Sequence, residues 1–118
     1  MAESDDPERI ALPQGALELL VLRTLARGDA HGYAIAQAVQ RASKDALGVE
    51  EGSLYPALHR LERRGWARGR WGTTETGRRA RFYALTAAGR KRLSSEQRAW
   101  ERMTRAVELV LRERGAEA

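Results

Sequence analysis

The chain has no cysteine, which removes disulfides, thiolate nucleophiles and cysteine-based zinc sites together. Of its two histidines, His31 has no carboxylate or second histidine at ligand spacing, so no metal site is expected. No apolar run approaches the roughly 20 residues that a membrane helix needs. Met1 to Glu8 is acidic rather than signal-like, so a cytoplasmic chain without a membrane partner is expected. There is no Gly-rich phosphate loop and no carboxylate dyad at a predicted loop. The nearest case, Glu50-Glu51, adds favourable charge at the start of a helix. Neither enzymatic activity nor a cofactor is expected.

What is present is arginine. The 118 residues carry a net charge of +5 with only two lysines, and arginine's planar fork suits oxyanions. The charge is also concentrated. Arg60, Arg63, Arg64, Arg68, Arg70, Arg78, Arg79 and Arg81 stand against Glu62 and Glu75, a local net of +6 that exceeds the whole-chain value. Such a stretch is the electrostatic footprint that a polyanionic partner requires. The length allows one compact domain, small enough to gain from burying apolar surface against a second copy.

The pattern predicts a mainly α fold with a β-hairpin wing. Residues 1–11 carry no period and are expected to be a flexible acidic tail. Pro13 is well placed at the start of a helix over Gln14 to Arg27, whose apolar residues wrap most of its circumference. A second helix is predicted from Gly32 to Ser43, with Ile35, Val39 and Ala42 on one face. The third spans about Glu51 to Arg64, stopped by Gly65, with Leu54, Leu58 and Leu61 inward. Ser53, Tyr55, Pro56, His59, Arg60 and Arg63 then project sideways or outward. Pro56 is tolerable only near the first turn. Three short helices of this kind fit a helix-turn-helix with its recognition helix.

After Gly65 the period changes to two. Trp66 to Trp71 and Arg79 to Leu85 read as strands flanking a turn-rich tip, Gly72 to Gly77. A basic hairpin after a recognition helix is a wing, of the kind that lies along the DNA backbone or reaches into the minor groove. Of Phe82 and Tyr83, one is expected in the core. Thr86 then caps a last helix running to about Arg114, too long to pack wholly on so small a domain. Leu93, Trp100 and Val107 lie seven apart, and Met103 and Val110 come three residues after the latter two: an a/d seam for homodimerisation, interrupted at its first d position by Glu96. Trp100 is bulky for tight two-stranded packing. It either fills the seam or holds the helices apart around a flat apolar cavity lined by Met103 and Leu17. The expected units are a winged helix-turn-helix over 12–85, a dimerisation helix over 86–114 and a tail over 115–118.

His31-Gly32-Tyr33-Ala34-Ile35, Gly52-Ser53-Leu54-Tyr55-Pro56-Ala57-Leu58 and Gly77-Arg78-Arg79-Ala80-Arg81-Phe82-Tyr83-Ala84-Leu85-Thr86 resemble motifs of the PadR family of transcriptional regulators. Leu61 to Trp66 also fits, and the resemblance runs in order from about Leu12 to Arg114. The single C-terminal helix is similar to the short-tailed subgroup. The resemblance implies a homodimer on a palindromic operator in double-stranded DNA, acting as a repressor released by a small molecule. It implies that Ser53, Tyr55, His59 and Arg60 face the major groove or its flanking phosphates, that Tyr33 sits near a phosphate, and that Arg78, Arg79 and Arg81 belong to the wing. Multidrug-sensing members place a tryptophan near position 100 and sandwich planar hydrophobic ligands between two copies. A winged helix acting on protein or RNA is the alternative, distinguished by salt dependence and by having no need of a palindrome.

Overall fold

The structure, a computed structural model, describes residues 10–114. The element order is β1 (Ile10–Ala11), α1 (Gln14–Arg27), β2 (Ala30–His31), α2 (Gly32–Ala42), β3 (Leu47–Gly48), α3 (Glu51–Arg63), β4 (Ala67–Thr73), β5 (Arg79–Leu85) and α4 (Ala87–Leu111). The fold is mainly helical with a small antiparallel sheet. Among the described residues no helix is long and apolar enough to cross a membrane.

α1 begins where Pro13, at φ −64°, presets the first turn. Its apolar circumference has a use: Leu17, Val21, Leu22 and Leu25 are buried, and the helix packs on α2, α3, α4 and β5 at once. Ile35 and Val39 of α2 and Leu54, Ala57, Leu58 and Leu61 of α3 close the core from the other side. Each fully buried leucine contributes roughly 1.5–3 kcal/mol.

The transitions are built by capping groups. His31 caps α2, its Nδ1 accepting from the Ala34 N–H at 3.3 Å. At the end of α3 the Gly65 N–H donates to the Glu62 carbonyl and the Trp66 N–H to the Leu61 carbonyl, a Schellman motif with Gly65 at φ +78°. Thr86 joins three segments. Its Oγ1 accepts from the Gly89 N–H at 2.9 Å and donates to the Gly65 carbonyl at 2.6 Å, while its own N–H donates to the Trp66 carbonyl at 3.1 Å. Gly89 is obligatory there, because a Cβ would collide with the Trp66 carbonyl oxygen.

Four expectations are corrected. Ile10 and Ala11, assigned to the tail, pair in parallel with Leu47 and Gly48; residues 1–9 and 115–118 lie outside the described residues. The wing hairpin has a third strand, since Ala30 and His31 pair with Tyr83 and Phe82 to give the order β2-β5-β4. Pro56 lies in the second turn of α3 rather than near the first. The bond it cannot make would go to Gly52, which is exposed, so water can serve that carbonyl. Leu93, expected in the intersubunit seam, is 8% exposed within the core of this chain. Tyr83, at 7%, is the buried member of the Phe82–Tyr83 pair.

Candidate nucleic-acid interface

The inward stripe of α3 leaves Ser53 exposed on the flank nearer α1, and Tyr55, His59 and Arg63, at a spacing of four, exposed along another side. Arg63 Nη1 and His59 Nδ1 lie 3.5 Å apart, one helical turn along that side. Tyr55 is 48% exposed, and its ring lies over Gly32 at the start of α2, where a Cβ would come within 2.8 Å of the hydroxyl. One face of the tyrosine therefore locks two helices together while the rest faces solvent. Tyr33, in the first turn of α2, is 64% exposed, and its hydroxyl accepts from Gln37 Nε2 at 3.1 Å. That turn carries no acidic residue, so its free N–H groups favour an anion beside Tyr33.

Two of the expected contacts point elsewhere. Arg60 Nε donates to Glu18 Oε2 at 2.6 Å, with both side chains largely covered. It ties α3 to α1 and is withdrawn from the exposed face. The cause is Glu18 itself, a half-buried carboxylate that needs a cation, and removing either partner would strand a charge. Arg81 donates to Glu62 Oε2 at 2.5 Å and so ties the wing to α3. Gly69 makes room for it, since a Cβ there would meet the Arg81 guanidinium at 2.6 Å. The hydrogen bond to Glu62 raises the Arg81 pKa above the usual arginine range. Burial pushes the neighbouring Tyr83 phenol up, with the Glu62 charge adding to it.

Arg78 and Arg79 are exposed at the wing tip. The tip closes through the Thr74 N–H to the Arg78 carbonyl at 2.8 Å, with Gly77 at φ +86°. Directly paired residues share a face of the hairpin: Ala67 with Leu85, Gly69 with Tyr83, Trp71 with Arg81 and Thr73 with Arg79. The Arg79 guanidinium lies 4.5 Å from the Trp71 ring centroid. On the other face Arg70 covers Phe82 at 5.2 Å and approaches Asp29 at 3.7 Å. The exposed surface of α3, the start of α2 and the wing tip thus offers tyrosine, serine, histidine and arginine that has no ion pair among the described residues.

The cavity expected of Leu17, Trp100 and Met103 lies between two copies, and within one chain these residues have different surroundings. Leu17 is 2% exposed and lines a small cleft with Leu12, Gly48, Val49, Glu50 and Ser53, at the start of α3. Trp100 and Met103 lie beyond Leu93, where α4 has left the domain, and are 45% and 51% exposed.

The sequence profile of the transcriptional regulator PadR-like family matches residues 21–95, a span running from α1 through the wing into α4. The chain belongs to the PadR-like family of transcriptional regulators. A PadR-like chain of this kind acts in DNA-binding regulation and not as an enzyme. It is 36% identical over 94 residues to a transcriptional regulator of Mycobacterium tuberculosis (Rv3488), covering 80% of this chain and 84% of that protein. It superposes on a transcriptional regulator from Clostridium thermocellum with a TM-score of 0.73 and 27% identity, covering 80% of this chain and 92% of the other. A PadR-like transcriptional regulator from Bacillus cereus shares the fold at a TM-score of 0.72 and 23% identity, covering 86% and 96% of the two chains.

Proposed function

We propose that this PadR-like chain binds a palindromic operator in double-stranded DNA as a homodimer and represses transcription from it. The observation that carries the reading is the far half of α4. Trp100, Met103, Val107 and Val110 form an apolar stripe that this chain leaves 45–74% exposed, on a helix that begins at the base of the wing. A stripe at that spacing suits a second copy of itself, and a twofold axis there would set two winged helices at matching half-sites. In this reading Ser53, Tyr55 and His59 meet base edges or flanking phosphates in the major groove, Tyr33 meets a phosphate, and Arg78 and Arg79 track the backbone. Arg60 and Arg81 support the reading surface from behind through Glu18 and Glu62.

The test is selection from random duplex DNA at moderate salt, with the complex then sized. An inverted repeat bound by two subunits, with affinity falling steeply as salt rises, is the expected result. Enrichment of no sequence, with tight binding only at low salt, would move the protein-or-RNA reading ahead.

Release by a planar hydrophobic effector between Trp100 and its mate forms part of the proposal, supported by the exposure of Trp100 beside Met103. Planar hydrophobic cations should quench the emission that Trp100→Phe removes and should raise the thermal midpoint. A broad panel that changes neither would remove the effector.

A further inference from the structure

We propose that Trp71 is a positioning residue for DNA, holding the guanidinium of Arg79 flat at the wing tip so that its N–H edge meets a phosphodiester. The inference rests on the DNA-binding reading above and adds a residue to it. Trp71 is 57% exposed on its strand, and it does not stand alone. The Arg79 guanidinium lies 4.5 Å from the ring centroid and that of Arg81 5.7 Å, both within cation–π reach. Arg81 is already committed to Glu62, whereas Arg79 has no ion pair among the described residues. Trp71 therefore holds a guanidinium whose hydrogen-bonding edge is free.

The register gives the direction. Trp71 and Arg79 share the hairpin face of Ala67, Tyr83 and Arg81, the face from which Arg81 reaches α3. They continue that face beyond the edge of the core, on the side of the sheet where the recognition helix lies. Stacking occupies the flat face of the guanidinium and leaves its in-plane N–H groups pointing outward, as bidentate phosphate recognition requires. It also removes part of the rotamer freedom of a long side chain before the duplex arrives.

The experiment measures binding of the full chain to its selected operator and to random duplex across a salt series. The variants are Trp71→Phe, Trp71→Leu, Arg79→Ala and the double variant Trp71→Leu/Arg79→Ala. Leucine keeps an apolar strand residue but has no π face, so the fold is retained while the stack is lost. Trp71→Leu should weaken binding to both duplexes by about 3- to 10-fold and flatten the salt dependence by up to about one phosphate contact. Trp71→Phe should recover most of the loss. In the Arg79→Ala background Trp71→Leu should change affinity by less than about twofold, because the two residues act as one unit. Parental affinity in Trp71→Leu, or an equal loss with and without Arg79, overturns the proposal. So does a shift in oligomeric state with DNA binding untouched, which would assign Trp71 to a protein contact. If Arg79→Ala itself leaves affinity and salt slope unchanged, the wing reading beneath the proposal fails. If the parent binds no duplex, the DNA-binding reading fails.

Discussion

Leu93 and Trp100 lie two helical turns apart on α4, yet Leu93 is 8% exposed in the core while Trp100 is 45% exposed. Met103, Val107 and Val110, further along the helix, are likewise 51%, 48% and 74% exposed. One helix thus carries two apolar stretches in different surroundings, one buried and one exposed. The first completes a core with α1 and β5, and the second has its spacing but no partner among the described residues. Heptad spacing alone does not distinguish them, because a leucine seven residues before a seam looks the same whether it packs on its own domain or on a second copy.

Four substitutions can break this division of α4 or sharpen it. Leu58→Ala, in the fully buried stripe of α3, should cost about 2–5 kcal/mol in denaturant unfolding whatever the oligomeric state. Leu93→Ala, at the rim of the same core, should cost about 2 kcal/mol, whereas Val110→Ala, assayed at dilutions favouring monomer, should stay within about 0.5 kcal/mol. Equal costs for the two would erase the division. Val107→Glu should leave the folding of a single chain nearly intact and weaken self-association at least about tenfold, or 1.4 kcal/mol, by sedimentation. A Val107→Glu chain that remains fully dimeric would remove the seam.

The smallest effect concerns alkaline pH. Burial raises the Tyr83 pKa in the folded chain above its ordinary value of 10.0. The unfolded chain therefore loses that proton first, and stability should be complete below about pH 10 and decline as pH rises towards the folded value. Tyr83→Phe should flatten that part of the stability profile, and an unchanged alkaline slope would show that the phenol is not responsible.

Much of the fold is legible in the residues themselves. α1 occupies the predicted Gln14–Arg27 because Pro13 and Gly28 bound it, and the hairpin arises from alternation around a turn-rich tip. The two-residue strands β1, β2 and β3 are too short to show a period; tertiary pairing alone makes them. The candidate site divides similarly. The exposure of Ser53, Tyr55 and His59 is set by the phase of Leu54, Leu58 and Leu61. Arg60 and Arg81 differ because their carboxylates lie 42 and 19 residues away, beyond any local pattern. Trp71 shares the phase of Ala67 and Gly69, which the alternation shows, but only the packed hairpin brings Arg79 onto it.

The clasp of Thr86 and Gly89 on Gly65 and Trp66 has a mechanical consequence. It makes a fulcrum where α3 ends, the wing begins and α4 departs. From Gly89 to Val110 the helix extends roughly 32 Å at 1.5 Å per residue. A tilt of about 10° at the fulcrum then sweeps the far end through about 6 Å. In the dimer proposed above, the same lever driven from its far end would turn a small spreading of the two seams, on the scale of one flat ring, into a rotation of both winged helices and a change in their spacing.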